Sequence, residues 1–215
     1  MAQTSLSVLG TNGIAFFGTG ASRTWAQMRA LTSAKTFALD GTTFQIQSRS
    51  LAALGGVYEY FQILFQFDTS GISDATAAEF RINCTSISSA PNLPKSILFK
   101  GNCPTPFNSS NGLNRMLNWP SSPTPYSFVG GTPISTGIHS VTLNADGISD
   151  INSGNTLQVY LVEYHQGNDA TVPTGLEDFN AQFNNTNLEL RVTTPSDYMK
   201  ISNGAVKILN GKVSL

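Results

Sequence analysis

Few residues in this 215-residue chain can do chemistry, and their spacing narrows what chemistry that is. There are two histidines, His139 and His165. His165 follows Glu163 by two positions and precedes Asp169 by four, which suits a metal ligand or a general base. No nucleophile or second base is placed beside it, and no GxSxG, HExxH, P-loop or strand–GxGxxG–helix context occurs. The GTG of FFGTGAS reads as a glycine-rich turn. His139 lies inside an alternating segment and reads as a satisfied or surface side chain. The two cysteines, Cys84 and Cys103, are too few for a disulfide framework or a four-cysteine metal site. Cys84 sits at an apolar position and reads as a buried thiol, with a Cys84–Cys103 bridge as the alternative. The carboxylate pairs Asp146/Asp150 and Glu177/Asp178, with Asp68 and Asp169 apart, form no calcium-loop motif. The expectation is a non-enzymatic chain without a cofactor, a single structural calcium being the alternative.

Ligand recognition without catalysis is the next candidate. Trp119, Tyr126 and Phe128 fall in a proline-rich stretch, residues 101–133, that holds six of the ten prolines. Aromatic faces stack on sugar rings, so these three are the candidate glycan-binding residues; the alternative is that they anchor the loop on the domain. Charged residues make up 12 % of the chain and the net charge is −1. No field exists to hold nucleic acid or an anionic membrane, and no apolar run is long enough to cross a bilayer. The surface must be mostly Ser, Thr, Asn, Gln and Gly, which suits proteins that work outside cells or in rigid assemblies. The N-terminus, MAQTSLSVLGTNG, has neither a basic region nor a sustained apolar one, so no secretory signal is expected.

The elements that must position these residues are strands. Phe61, Ile63, Phe65 and Phe67 alternate with Gln62, Gln66 and Asp68, a period of two. Asp68-Thr69-Ser70-Gly71 supplies turn chemistry, and Phe80, Ile82 and Cys84 alternate in a second strand. Together they read as the central strands of the domain. Further strands are expected at Thr42–Arg49, Ser96–Lys100, Gly137–Leu143, Thr156–Tyr164, Phe179–Phe183 and Leu188–Val192. The near-continuous apolar run at Thr156–Tyr164 predicts burial on both faces. Thr24–Ala34 reads as a helical turn or a strand. Asn111–Asn118 reads as a short helix through Leu113, Met116 and Leu117, and Asn144–Ile151 as a helical turn with Ile148 and Ile151 inward. Residues 1–22, with Ile14–Phe17, form a first strand or an arm docking on a neighbour.

Pro195 marks a boundary. Beyond it, Tyr198, Met199, Ile201, Val206, Ile208 and Val213 pattern around Asn203-Gly204 and Asn210-Gly211, and Asn-Gly between alternating residues signals a hairpin. An isolated hairpin is marginal in water, so these six residues are the candidate assembly contacts. Eight to ten short strands and almost no helix predict an all-β, jelly-roll-like antiparallel sandwich over residues 23–195, with an arm or first strand at 1–22 and a β-hairpin tail at 196–215.

Several phrases resemble one family. Trp25 and Arg29, a Gly-Gly ahead of Tyr60-Phe61, FQFDTSGIS and then DATAAEFRI resemble the DNRLRE-like β-sandwich proteins of phage virions and bacterial surface modules. STGIHSVTLNADGISDIN and TVPTGLEDFNAQFNNTNLELRVT are similar to the family's later segments. The DNRLRE string itself is absent, as are the usual Arg before the FDTS strand and the Gly-Ala-Thr-Ile turn. The resemblance implies a sandwich used as a virion component, such as a capsid decoration, head fibre or tail-associated protein, or as a carbohydrate-binding-like accessory in bacteria. It carries over no catalytic residue. The expected partners are other virion proteins and further copies of this chain, with a trimer as the model assembly and host surface glycans as an added ligand. The expected location is the virion.

Overall fold

The computed structural model describes residues 1–9, 14–20, 24–30, 36–39, 42–51, 57–88, 93–102, 123–164, 178–195, 201–202 and 205–206. Eleven strands form one antiparallel sheet that folds over on itself into a nearly closed sandwich. In chain order they are β1 (Ala2–Ser7), β2 (Ile14–Gly20), β3 (Thr36–Leu39), β4 (Thr43–Leu51), β5 (Val57–Asp68), β6 (Ala77–Ile87), β7 (Lys95–Lys100), β8 (Thr132–Pro133), β9 (Gly137–Thr142), β10 (Thr156–Glu163) and β11 (Asp178–Thr194). The hydrogen-bonded path runs β8-β7-β10-β5-β4-β11-β6-β9, with β1 on β11 and β2 between β5 and β3. The jelly-roll-like all-β sandwich read from the sequence is the fold observed.

Two long strands account for the folding-over. One edge of β5 pairs with β4 over Val57–Phe61 and with β10 over Gln62–Asp68. One edge of β11 pairs with β4 over Asp178–Asn184 and with β1 over Glu189–Thr194. Each strand thus passes from one neighbour to another along its length, and β4 joins the two halves at one corner. Asp68 and Gly71 make the turn after β5. The Asp68 carboxylate accepts from the Ser70 amide at 2.9 Å, and Gly71 has φ +83°. That turn does not make a hairpin, because β5 and β6 do not pair. The chain crosses to the other half, and Phe65 and Phe80 meet across the interior with ring centroids 5.3 Å apart.

Residues 1–22 contribute strands of the chain's own sheet, not an arm on a neighbour: β1 pairs with β11 and β2 with β5. The expected strands Phe179–Phe183 and Leu188–Val192 are one strand, β11, interrupted by an irregularity. Its pairing with β6 shifts by three residues between Asn184 and Glu189, and Asn187 there has φ +56°. An odd insertion reverses which side chains face inward. Ala181 and Phe183 are in the core before it, Leu190 and Val192 after it.

The core lies between the halves. Phe44, Ile46, Ile63, Phe65, Phe67, Phe80, Ile82, Leu98, Val159, Leu161, Phe183 and Leu190 are among its members. The outer face of the β7–β10–β5 half is buried as well, through Ile97, Phe99, Tyr160, Val162, Leu64 and Tyr60. Thr156–Tyr164 is therefore covered on both faces from Tyr160 onward, as its apolar run predicts. On the β6–β11 half the outer face carries Glu79, Arg81, Glu189 and Arg191 instead.

Two helices complete the described residues. Helix α1 (Trp25–Arg29) starts in a capping box, with Thr24 accepting from the Gln27 amide and Gln27 accepting from the Thr24 amide. That settles Thr24–Ala34 as helical at its start. Trp25 packs on Tyr58 and Tyr60, with centroids at 5.5 and 6.4 Å. Helix α2 (Ala145–Asn152) is capped by Asn144 and turns Ile151 into the core, with Ile148 packed against it. The expected helix at Asn111–Asn118 lies outside the described residues. A separate two-stranded hairpin, β12 (Ile201–Ser202) with β13 (Ala205–Val206), follows the sandwich.

Candidate functional site

Strand β9 turns His139 inward, flanked by Gly137 and Val141 on the same face. Its ring is 3 % exposed and sits 2.7 Å from the Ser96 hydroxyl of β7. The Phe183 ring lies 6.1 Å away. Burial favours the neutral imidazole and pulls its pKa down to about 4. Glu163 of β10 stands opposite Ser96 in the antiparallel register and is fully buried. It has the interior parity of Val159 and Leu161. A serine, a histidine and a carboxylate thus share one closed end of the sandwich. Their burial keeps a substrate away from the hydroxyl, so the group reads as internal structure. His139 is the satisfied side chain expected from the sequence. His165, Asp169 and Glu177 lie outside the described residues, as does the side chain of Asp178.

A second polar group ties α2 to the sheet. Tyr126, 1 % exposed, donates its hydroxyl to the Asp150 carboxylate, and Lys100 reaches the same carboxylate at 2.6 Å. Burial and the adjacent Asp150 carboxylate raise the phenol's pKa. Burial alone would push the Asp150 carboxyl up, but Lys100 and Tyr126 outweigh it and hold it below the ordinary value. Tyr126 was a glycan-stacking candidate; its ring is buried in the core cluster and has no open face. The alternative reading, an anchor for the loop, describes it correctly. Of the acidic pair Asp146/Asp150, Asp150 is committed to this group, and Asp68 to the turn after β5. Among the described residues no cluster of three His, Cys, Asp or Glu could hold a metal.

Phe128 faces solvent, with 71 % of its surface exposed. The turn that carries it is fixed on both sides. Ser127, buried, accepts from the Leu98 amide at 2.9 Å, and the Gly131 amide donates to the Phe128 carbonyl at 3.0 Å. Gly131 has φ +73°, and a Cβ there would lie 2.8 Å from the Tyr164 ring. Lys95 sits over that same ring, 5.2 Å from its centroid. Trp119, the third candidate, lies outside the described residues. An open groove of about 690 Å³ runs between the ends of β6 and β9 and helix α2. Its amides are already committed: Asn144 caps α2 and donates to the Pro125 carbonyl, and Asn152 bonds both backbone groups of Ala75.

Cys84 is buried and free, its thiol 3.4 Å from the Ser86 carbonyl, and burial raises its pKa. Cys103 is outside the described residues. Of the assembly candidates, Ile201 and Val206 are register partners in the hairpin. Tyr198, Met199, Ile208 and Val213 lie outside the described residues. Sequence reasoning missed Ser96 and Lys100 as partners of His139 and Asp150. Those pairs are 43 and 50 positions apart, and no local pattern encodes them. No helix among the described residues is long and apolar enough to cross a membrane. No protein-family model matches this chain, and no curated protein sequence matches it.

Proposed function

We propose that this chain is a non-enzymatic structural protein of a phage virion, a capsid decoration, head-fibre or tail-associated component that works by self-assembly. One observation carries the assembly part. The hairpin β12–β13 consists of two residue pairs, Ile201↔Val206 and Ser202↔Ala205, and joins no other strand among the described residues. Two such pairs do not hold a hairpin in water, and neighbouring copies would supply the missing strands. The virion part rests on the DNRLRE-like phrases and the amide-rich, weakly charged composition. A closed trimer with other virion proteins around it is the expected setting.

Light scattering on the full chain and on a version ending at Pro195 tests the proposal. The core cluster spans Phe44 to Val192, inside the shortened chain. Assembly of the full chain and a monomeric shortened chain support it. Monomers in both cases refute it. A second reading, binding of host glycans, is favoured by the exposed Phe128 on its fixed turn. Phe128→Ala should then abolish binding on a glycan array; unchanged or absent binding removes that reading.

A further inference from the structure

The sheet begins at β8 and β7 and ends at β9, and no ladder among the described residues joins the two ends. Beyond the last residues of β9 the seam is bridged by backbone: the Tyr126 amide bonds the Leu98 carbonyl of β7, and its carbonyl takes the Asn144 amide. At the Gly137–His139 end, a buried side-chain bond from Ser96 to His139, at 2.7 Å, reaches across. We propose that this bond is an acid-released latch: protonation of His139 frees the Gly137–His139 end of β9 from the seam and opens its ladder with β6 there.

The surroundings of His139 explain why a proton would act on it. From β11 it meets the Phe183 ring, and from β6 its register partner is Ile82. From β7 it meets Ser96, whose neighbour Lys95 is exposed and lies over the Tyr164 ring. From β10 the one charged residue of interior parity is Glu163, opposite Ser96. Arg81 and Glu79 of β6, and Glu189 and Arg191 of β11, bond one another on the outer face. A neutral imidazole has one N–H to satisfy. The protonated ring has two, and a charge, of which Ser96 can accept a single bond. Moving that end of β9 outward lets water meet the rest. The depressed pKa, about 4 against an ordinary 6.5, agrees with this. The unfastened form is favoured about twentyfold more at pH 5 than at pH 7.

Cys84 reports the movement. It is buried, and its register partner is Gly137, the first residue of β9. The test uses the full chain with Cys103→Ser and a pyridyl disulfide, which reacts with thiols in acid. Labelling of Cys84, scaled to the unfolded chain at each pH, should rise about twentyfold from pH 7 to pH 5. Far-UV circular dichroism should stay unchanged. His139→Gln, which cannot charge, should label equally at both values. The latch is refuted by flat labelling of the parent, which would mean that Glu163 takes up the charge in place. An equal rise in His139→Gln, or loss of dichroism in step with labelling, also refutes it. Hydrogen exchange of the unaltered chain, corrected for intrinsic rates, needs no variant: residues 137–139 must lose protection on acidification before β5 and β10 do.

Discussion

Replacing Tyr126 by Phe separates an anchor from a ligand-binding residue. The substitution keeps the buried ring and removes the hydroxyl that donates to Asp150. A hydrogen bond to a charged group contributes about 1.5–3 kcal/mol. The Asp150 side chain is 31 % exposed and keeps Lys100 at 2.6 Å, so water and the ammonium take up part of the loss. The expected cost is therefore about 1–2 kcal/mol at pH 7. The pH dependence gives a second check. The Asp150 carboxyl lies below its ordinary value of 3.8 in the folded chain. Its contribution is present above that value and fades as pH falls through the folded pKa. Removing the Tyr126 donor brings the carboxyl back up, so the stability difference should shrink between pH 4 and pH 3. Urea denaturation at pH 7 and pH 3 measures both. A loss under about 0.3 kcal/mol at pH 7, or one of equal size at pH 3, would refute the assignment.

Glycine substitutions on two turns should differ for a reason visible in the packing. Gly131→Ala meets both a positive φ and the Tyr164 ring, whereas Gly71→Ala has φ +83° with nothing within 4 Å. Denaturation should give about 1–2 kcal/mol for Gly71→Ala and about 2–4 for Gly131→Ala, and equal losses would contradict the packing argument. Phe65→Ala empties the centre of the core between Phe44 and Phe80 and should cost about 3–5 kcal/mol by the same measurement; under about 1 would mean that the halves do not meet there. Self-association of the full chain should survive 1 M salt in light scattering, because its net charge is −1 and its sheet-face charges are paired. Dissociation by salt would place the contact on charges instead.

The sequence carried the strands well because one period decides them. Phe61 to Phe67, with Leu64 the one apolar residue on the polar face, and Phe80 to Cys84 alternate, and each is a strand with the expected face inward. Asn144–Ile151, read as a helical turn, lies in helix α2 with its cap, and Thr24–Ala34, open between helix and strand, is helical at its start. What alternation cannot express is where a strand's neighbours are. The turn at Asp68–Gly71 looks like a hairpin locally, yet it sends the chain to the other half, because β5 is already paired along both edges. The irregularity near Asn187 breaks the alternation of β11, so one strand reads as two. Exposure was the harder matter. Tyr126 and Phe128 are two residues apart in the same proline-rich stretch, but one is an anchor and the other a solvent-facing ring. Only the long-range bond to Asp150 separates them. The buried end at Ser96, His139 and Glu163 is assembled from three strands and has no signature in any one of them.

The sandwich spends its few charges unevenly, and this bears on how copies would meet. Most sandwiches need two wet outer faces, each with polar residues at alternate positions. Here the outer face of β7, β10 and β5 is largely buried, with uncharged Gln62 and Gln66 among its members. Apart from the Arg49–Glu59 pair of β4 and β5, the ion pairs within the sheet lie on the β6–β11 face. On that face Arg81 bonds Glu189 at 2.9 Å and Arg191 bonds the same carboxylate at 2.6 Å. Burial would push the Glu189 carboxyl up, but bonds from Ser5, Arg191 and Arg81 hold it below the ordinary value. Glu79, Arg81, Glu189 and Arg191 therefore sum to no net charge and extend no field toward a partner. An approaching copy would be neither steered nor repelled by this face. Association of copies, if it proceeds through the tail as proposed, would then draw on backbone pairing with the hairpin β12–β13, which joins no other strand among the described residues.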